Sequence, residues 1–380
     1  MKTNNIFIYF VVLLLVTSCK QSTTNYGDTQ SLNFNHGHSA DISDILEMSF
    51  IKLETNDNCL INSIRQVESA LGKIFILTGG AESGVLVFDS LGKFVAPIGT
   101  RGNGPQEYLL CSSFSIDHYR NIISLVDMAQ KKVINYNLIN YEFVSEHRLV
   151  EGFSSFEYLG NNHIVWHNFV AKDDLAGWCF VVTDINQNYI NKYVKRNFIT
   201  GYHTAPLKSM YKIDSDVFVY SGYHPIIYQC LGDNIHPLYK LEFGRFQIPP
   251  LDHLKKISAG NVNFLPELAR SNFVYTFIVF GTYNTVVVEY TVSNIQYIGV
   301  YNKQNNQTYS YTMEDFQKML KIGKIDRISG IVNNSFAAVM FPFYLFEEKN
   351  NSLNPELHRL IDESNEDDNP ILCLFRLKTN

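Results

Sequence analysis

Short apolar runs rich in Val, Ile, Phe and Tyr recur along the chain, separated by turns of Asp, Asn and Gly. Residues 85–88 and 93–98 are two such runs, and the turn 89–92 between them predicts a hairpin. Four strand-like runs make one unit, and the unit repeats. The third runs of the first four units end at Phe88, Tyr136, Thr183 and Tyr228, which lie 48, 47 and 45 residues apart. A near-constant period of this size, with four strands per unit, indicates a β-propeller.

The regular spacing breaks in the C-terminal half of the chain. Residues 249–268 predict an insertion with a short helix, and residues 313–320 and 354–364 predict two further helices. The sixth unit has only three predicted strands, of which 371–377 is the last. An N-terminal run at 48–53 can supply the missing strand and cover the exposed sheet edge. The expected fold is therefore all-β, a six-bladed β-propeller with four-stranded blades, short helical insertions and closure by an N-terminal strand.

The first residues predict a targeting segment rather than part of the fold. Lys2 precedes an apolar stretch at 6–16 that is shorter than an ordinary membrane span. The stretch ends in Val16-Thr17-Ser18-Cys19, which resembles a bacterial lipobox. This resemblance implies a signal peptide at 1–18 and a diacylglycerol on the Cys19 thiol. An ordinary signal peptide with an incidental cysteine is the alternative.

The domain organisation follows from this start. Residues 19–44 are polar and predict a flexible tether, and residues 45–380 predict the propeller domain. The lipid would then hold the protein to a membrane. Residues 20–23 contain no acidic cluster, which favours the periplasmic side of the outer membrane over exposure at the cell surface.

The composition supports a large folded domain and argues against one class of partner. Of the 380 residues, 46% are hydrophobic and 14% aromatic, enough for a sizeable core. The net charge is −6 and no Lys/Arg block occurs, so nucleic acid is not an expected partner. Five cysteines follow Cys19 without a CxxC motif, which predicts buried single thiols, with one disulfide as the alternative. They are Cys59, Cys111, Cys179, Cys230 and Cys373.

Three segments carry a resemblance to a known family. They are residues 51–55 (IKLET), 102–108 (GNGPQEY) and 366–370 (EDDNP). With these segments the chain resembles the six-bladed β-propeller lipoproteins of Bacteroidota, which are related to TolB and NHL-type propellers. The second segment fits the family pattern G-x-G-P-x-E-Y. The resemblance covers about residues 45–380. It implies a fold and an envelope location, but no particular activity.

Candidate ligand-binding residues lie in two kinds of predicted loop. The glycine-rich corner after the first unit crosses between blades near the channel, where its side chains can contact a ligand. The alternative is a tight crossing that these side chains hold by hydrogen bonds and packing. Other loops carry aromatic and imidazole groups suited to stacking on sugars or peptides, or to packing at strand ends. The candidates are Arg101, Glu107 and Tyr108 in the corner, and Tyr202, His203, Tyr223 and His224 elsewhere.

The sequence lacks the common catalytic signatures, namely HExxH, G-x-S-x-G, a phosphate-binding loop and a D-x-D-x-D-G calcium loop. The predicted function is non-catalytic binding of a protein, peptide or glycan on one propeller face, without cofactor or metal. The alternative is a calcium-dependent lactonase or esterase in the channel, for which Asp117, Asp127, Asp173 and Asp174 are scattered candidate ligands. Convergence of three or more Asp, Asn, Glu or His side chains would favour that alternative. A scaffold role in a membrane complex is a third interpretation.

Overall fold

The computed structural model describes residues 29–35, 41–81, 83–149, 152–160, 162–168, 173–196, 198, 208–258, 263–348 and 353–378. Most of its regular structure is β, in six groups of consecutive antiparallel strands, here called sheets one to six. The first strands of sheets two and three, three and four, four and five, and six and one lie next to each other, and the space between the first strands is here called the channel. Cys111–Asp117, a first strand, is buried at every residue, whereas the fourth strand Phe143–Arg148 is largely exposed. Each sheet therefore runs from the centre of the molecule to its periphery.

The first three sheets each contain four strands in sequence order. Sheet one consists of Ile64–Ala70, Lys73–Thr78, Val85–Asp89 and Phe94–Ile98. Sheet two consists of Cys111–Asp117, Ile122–Asp127, Lys132–Asn137 and Phe143–Arg148. Sheet three consists of Phe153–Leu159, His163–Asn168, Trp178–Asp184 and Tyr189–Lys195.

Sheets four and six each take up a strand from the N-terminal region. Sheet four consists of Met210–Ile213, Asp216–Ser221, His224–Leu231 and Asn234–Glu242, with Gln30–Asn33 at its outer edge. Sheet five consists of Thr276–Gly281, Thr285–Val292, Ile295–Asn302 and Gln307–Thr312. Sheet six consists of Arg327–Val332, Ser335–Met340 and Ile371–Leu377, with Leu46–Lys52 outermost.

The two ends of the strand series meet at sheets six and one. Leu46–Lys52 pairs antiparallel with Ile371–Leu377 over all seven residues. In the first strands of the two sheets, Gly330 lies opposite Val67 in a short parallel pairing. A Cβ atom at Gly330 would lie 1.7 Å from the Val67 carbonyl oxygen, so this approach requires glycine. Sheets six and one are thus hydrogen-bonded neighbours.

One prediction fails at the N-terminal side of the domain. Gln30–Asn33, inside the expected tether 19–44, pairs in parallel with the last strand of sheet four. Leu32 and Phe34 are fully buried, and the Phe34 N–H donates to the Glu242 carbonyl oxygen at 2.7 Å. The tether prediction is wrong for these residues, because their two apolar side chains pack into the core between sheets four and five. Cys19 and the predicted signal peptide lie outside the described residues.

Five α-helices occur in the described part of the chain, where the sequence predicted three. Residues 249–268 hold two helices rather than one. The helix at 342–347 was not predicted, because residues 341–346 (FPFYLF) are apolar throughout and show no helical spacing of apolar and polar positions. No helix among the described residues is long and apolar enough to cross a membrane. The helices are α1 (Leu251–Ser258), α2 (Phe264–Arg270), α3 (Met313–Leu320), α4 (Pro342–Glu347) and α5 (Pro355–Asp362).

The antiparallel order gives the molecule two distinct faces. The front face is the one that carries the turns between first and second strands and the turns between third and fourth strands. The back face carries the turns between second and third strands and the connections from one sheet to the next. All five helices follow a second or a fourth strand, so they belong to the back face.

Candidate functional site

The glycine-rich corner connects sheets one and two on the back face. Thr100–Arg101 pairs with Glu107–Tyr108, and the Gly102 N–H donates to the Tyr108 carbonyl oxygen at 3.0 Å. Glu107 Oε2 accepts the Gly104 N–H at 2.8 Å. Tyr108 is 5% exposed and packs in the core of the first two sheets. Glu107 and Tyr108 therefore hold the crossing together, while Arg101 is exposed beside it.

The other described candidates also lie on the back face. Tyr223 and His224 form the turn between the second and third strands of sheet four and line a cavity of about 160 Å³ beside α1. The His224 ring stacks on Tyr228 with centroids 5.9 Å apart, and burial lowers the pKa of His224. The cavity is small for a ligand. Tyr202 and His203 lie outside the described residues.

Two larger cavities open on the front face, and we call their common opening the front mouth. The first, about 580 Å³, is lined by turns of sheets two, three and four. The second, about 360 Å³, is lined by sheets one, four, five and six and also by His118 of sheet two. His118, Lys212 and Asp214 line both cavities. The turns between first and second strands thus build a site that no sequence motif marked.

A network of charged side chains crosses the channel below the front mouth. Glu157 of sheet three is fully buried and lies 2.5 Å from Lys208 Nζ and 2.8 Å from Lys212 Nζ. Lys208 Nζ also lies 2.5 Å from Glu68 Oε1 of sheet one. Ser115 Oγ of sheet two donates to Glu157 Oε2 at 2.7 Å. The network therefore ties together the first strands of sheets one to three and the N-terminal side of sheet four.

These contacts decide the ionisation of the network. Burial disfavours the charged form of Glu157, but Lys208 and Lys212 outweigh it and hold its pKa below the usual range. Burial likewise disfavours the charged Lys208, but Glu157 and Glu68 raise its pKa. Two lysines and two carboxylates compensate one another, so the floor of the mouth is close to neutral.

The rim of the mouth carries polar side chains that form no hydrogen bonds with other described residues. Asp214 lies in the turn of sheet four with φ of +51°, and its carboxylate accepts no hydrogen bond and forms no ion pair within the described ranges. Asn162 and Ser215 beside it also form no side-chain hydrogen bond there. Tyr119 and Tyr283 are 80% and 53% exposed. The rim thus offers acceptors, donors and aromatic rings to a ligand.

The candidate calcium ligands do not come together in the described structure. Asp117 lies 2.5 Å from Arg120 Nε at the mouth, while Asp127 accepts the Leu109 N–H at 2.7 Å near the back-face corner. Asp174 lies in the 3₁₀ turn Asp173–Leu175, and the side chain of Asp173 is not described. No three His, Cys, Asp or Glu side chains in the described ranges are arranged to hold a metal ion. The five cysteines after Cys19 are buried and have free thiols.

Comparisons with known proteins fit this architecture. Residues 20–336 match a family described as a six-bladed beta-propeller. The chain belongs to the six-bladed β-propeller family. A candidate exported protein from Bacteroides fragilis shares 33% identity with this propeller over 92% of this chain and 100% of its own, with a TM-score of 0.88. A member of the DUF4221 family from Bacteroides vulgatus shares 10% identity over 89% and 100%, with a TM-score of 0.51, a likeness of fold alone. No curated protein matches the sequence.

The sequence contains a signal for this site outside any recognised motif. Charged residues interrupt first strands of the propeller at positions where an apolar side chain is ordinary. Glu68 stands in VES, Glu157 in FEY and Lys212 in YKI. Buried charges are rarely found without partners, so such positions on several first strands indicate a network in the channel. The rim residues gave no separate signal, because Asp, Asn and Ser are ordinary turn formers.

Proposed function

We propose that this propeller is a non-catalytic binding protein of the cell envelope, whose protein, peptide or glycan ligand docks at the front mouth. The observation that carries the proposal is the pair of adjoining cavities with an available polar rim. Their volumes fall within the range of about 300–1,000 Å³ typical of ligand sites. The network below them supplies a charge-compensated floor, which suits recognition by preorganised hydrogen-bonding groups.

The cellular location is part of the same proposal. The lipobox-like segment ending at Cys19 supports lipid anchoring, and the lack of acidic residues at 20–23 supports the periplasmic side of the outer membrane. The exported relative from Bacteroides fragilis supports a location outside the cytoplasm. Metabolic labelling with a lipid precursor tests the anchor, because Cys19→Ser should abolish the label.

We further propose that the blades are four-stranded units and that the N-terminal strand closes the ring. The seven-residue pairing of Leu46–Lys52 with Ile371–Leu377 supports this closure. Closure of this kind removes the exposed sheet edges that would otherwise favour aggregation. The outer strand Gln30–Asn33 adds to blade four in the same manner.

Photo-crosslinking in the native envelope tests the binding function. A photo-reactive residue at Ser215, on the rim, should give a discrete crosslinked product, identified by mass spectrometry as protein, peptide or glycan. The control position is Leu265 of α2, which is exposed on the back face. Products from Leu265 alone would contradict the front mouth as the site. Turnover of a small ester or lactone that depends on calcium would instead favour the hydrolase.

A further inference from the structure

We propose that the front mouth binds a neutral oligosaccharide. The inference rests on the proposed binding function and narrows its ligand class. A sugar chain offers hydroxyl groups that both donate and accept hydrogen bonds, and apolar ring faces that stack on aromatic side chains. A site for it needs mixed polar groups, exposed rings and little net charge. The front mouth has each of these features.

The aromatic rings stand at two sides of the mouth. Tyr119 lies in the first turn of blade two and Tyr283 in the first turn of blade five, which are opposite positions in a six-bladed ring. They line different cavities, Tyr119 the larger and Tyr283 the smaller. Both rings are more than half exposed. Tyr suits a wet interface because its ring is apolar and its hydroxyl polar.

The charges around the cavities argue against an anionic ligand. The larger cavity has the carboxylates of Asp117 and Asp214 and the cations of Arg120 and Lys212. Arg120 pairs with Asp117, and Lys212 pairs with Glu157. An anionic ligand would have to compete with these pairs and leave a carboxylate uncompensated, at a cost that grows with burial. A neutral ligand can use the remaining acceptors of the rim without breaking an ion pair.

The arrangement of the cavities favours a chain of sugars over a single ring. The two cavities meet along the wall formed by His118, Lys212 and Asp214. A ligand that fills both must cross this wall, where Asp214 can accept from its hydroxyls. Burial, and next Lys212, lower the pKa of His118, which keeps its ring neutral at neutral pH. At this wall the His118 ring is neutral, Asp214 can accept hydrogen bonds and Lys212 is paired with Glu157, so a neutral chain can cross without breaking an ion pair.

The test uses protein produced from the full chain on an array of neutral, acidic and amino-bearing glycans, with a parallel peptide array. We expect binding to concentrate among neutral glycans. Tyr119→Ala should weaken binding of the best glycan about tenfold, as expected for loss of one stacked ring. The matched control is Tyr189→Ala, since Tyr189 is 56% exposed on an outer strand away from the mouth and should be neutral. Affinity should change less than about twofold between about 50 and about 500 mM salt.

The outcomes separate the ligand class from the binding function. Binding of peptides or charged glycans that is lost in Tyr119→Ala would overturn the neutral sugar and leave the mouth as a binding site. Failure of every neutral glycan would also overturn the inference. Glycan binding that Tyr119→Ala leaves unchanged, together with crosslinks from Leu265 alone, would overturn the front mouth itself.

Discussion

The two faces of this propeller use their polar residues differently. On the back face, the corner residue Glu107 accepts a backbone N–H and Tyr108 is buried, while five helices follow the strands there. On the front face, the turns are short, and the side chains of Asp214 and Tyr119 point out and form no hydrogen bond within the described residues. On the back face, polar side chains thus stabilise the fold, whereas on the front face polar and aromatic side chains are available to a ligand.

It follows from this contrast that a specific motif need not mark a binding site. The G-x-G-P-x-E-Y segment is the most distinctive feature of the sequence, yet its acid and its tyrosine hold a crossing between blades. Changes on the back face should therefore alter stability, and changes on the front rim should alter binding. The channel network, which lies between the faces, should affect stability most.

The largest effect is expected from Glu157→Gln. The substitution leaves Lys212 without its carboxylate and Lys208 with Glu68 alone, in a buried setting. Breaking a buried ion pair by removing one partner costs about 3–5 kcal/mol of the free energy of unfolding. Denaturant unfolding measures it. Glu146→Gln is the control, because Glu146 pairs with Lys132 at the surface and should lose only about 0–1 kcal/mol. Equal losses in both variants would contradict the role of the network.

Glu289, a half-buried carboxylate without a lysine partner, has its pKa shifted in the direction opposite to that of Glu157. Glu289 of blade five accepts the Ile328 N–H at 3.0 Å, and burial raises its pKa to about 7. The unfolded chain releases this proton at about pH 4.3, so the folded protein loses stability as pH rises from there to about 7. Glu289→Gln keeps the acceptor and cannot ionise. The substitution should therefore raise the free energy of unfolding by about 2 kcal/mol at about pH 8 and change it little at about pH 5.

Thermal unfolding at the two pH values checks this prediction. Glu314→Gln is the control, because the Glu314 side chain is 76% exposed and its substitution should change stability little at either pH. A gain in Glu289→Gln that is the same at both pH values would show that the effect does not come from ionisation.

A smaller loss of stability is expected in the corner. Glu107→Ala removes the acceptor of the Gly104 N–H and should cost about 1 kcal/mol. Asn103→Ala, in the same exposed corner, should stay within about 0.5 kcal/mol of the wild type. Neither variant should change binding of the glycan selected on the array. A loss of binding in Glu107→Ala at unchanged stability would return the corner to the list of ligand contacts.

The sequence predicted the repeat because strands and turns are local. The runs around Phe88 and Tyr136 alternate with turn residues, and α3 spans the predicted residues 313–320, with the Thr312 side chain capping its first turn in the structure. Gln30–Asn33 was missed because a short polar strand gains its stability from a distant neighbour. The rim was missed for a related reason, since the closeness of Tyr119, Asn162 and Asp214 depends on the packing of three blades.

Asp214→Asn should have the smallest effect on stability and a clear effect on ligand binding. Asp214 adopts a left-handed conformation that Asn tolerates equally well, so Asp214→Asn should change the free energy of unfolding by less than about 0.5 kcal/mol. It removes an acceptor from the wall between the cavities and should weaken glycan binding several-fold. Asp216→Asn is the control, because Asp216 begins the strand that follows this turn, accepts from Gln229 Nε2 and lines neither cavity. Titration calorimetry on both variants separates the two positions. If both weaken binding equally, the general negative charge of the turn matters rather than a contact at the wall, and the front rim would be no more specialised for its ligand than the back-face corner.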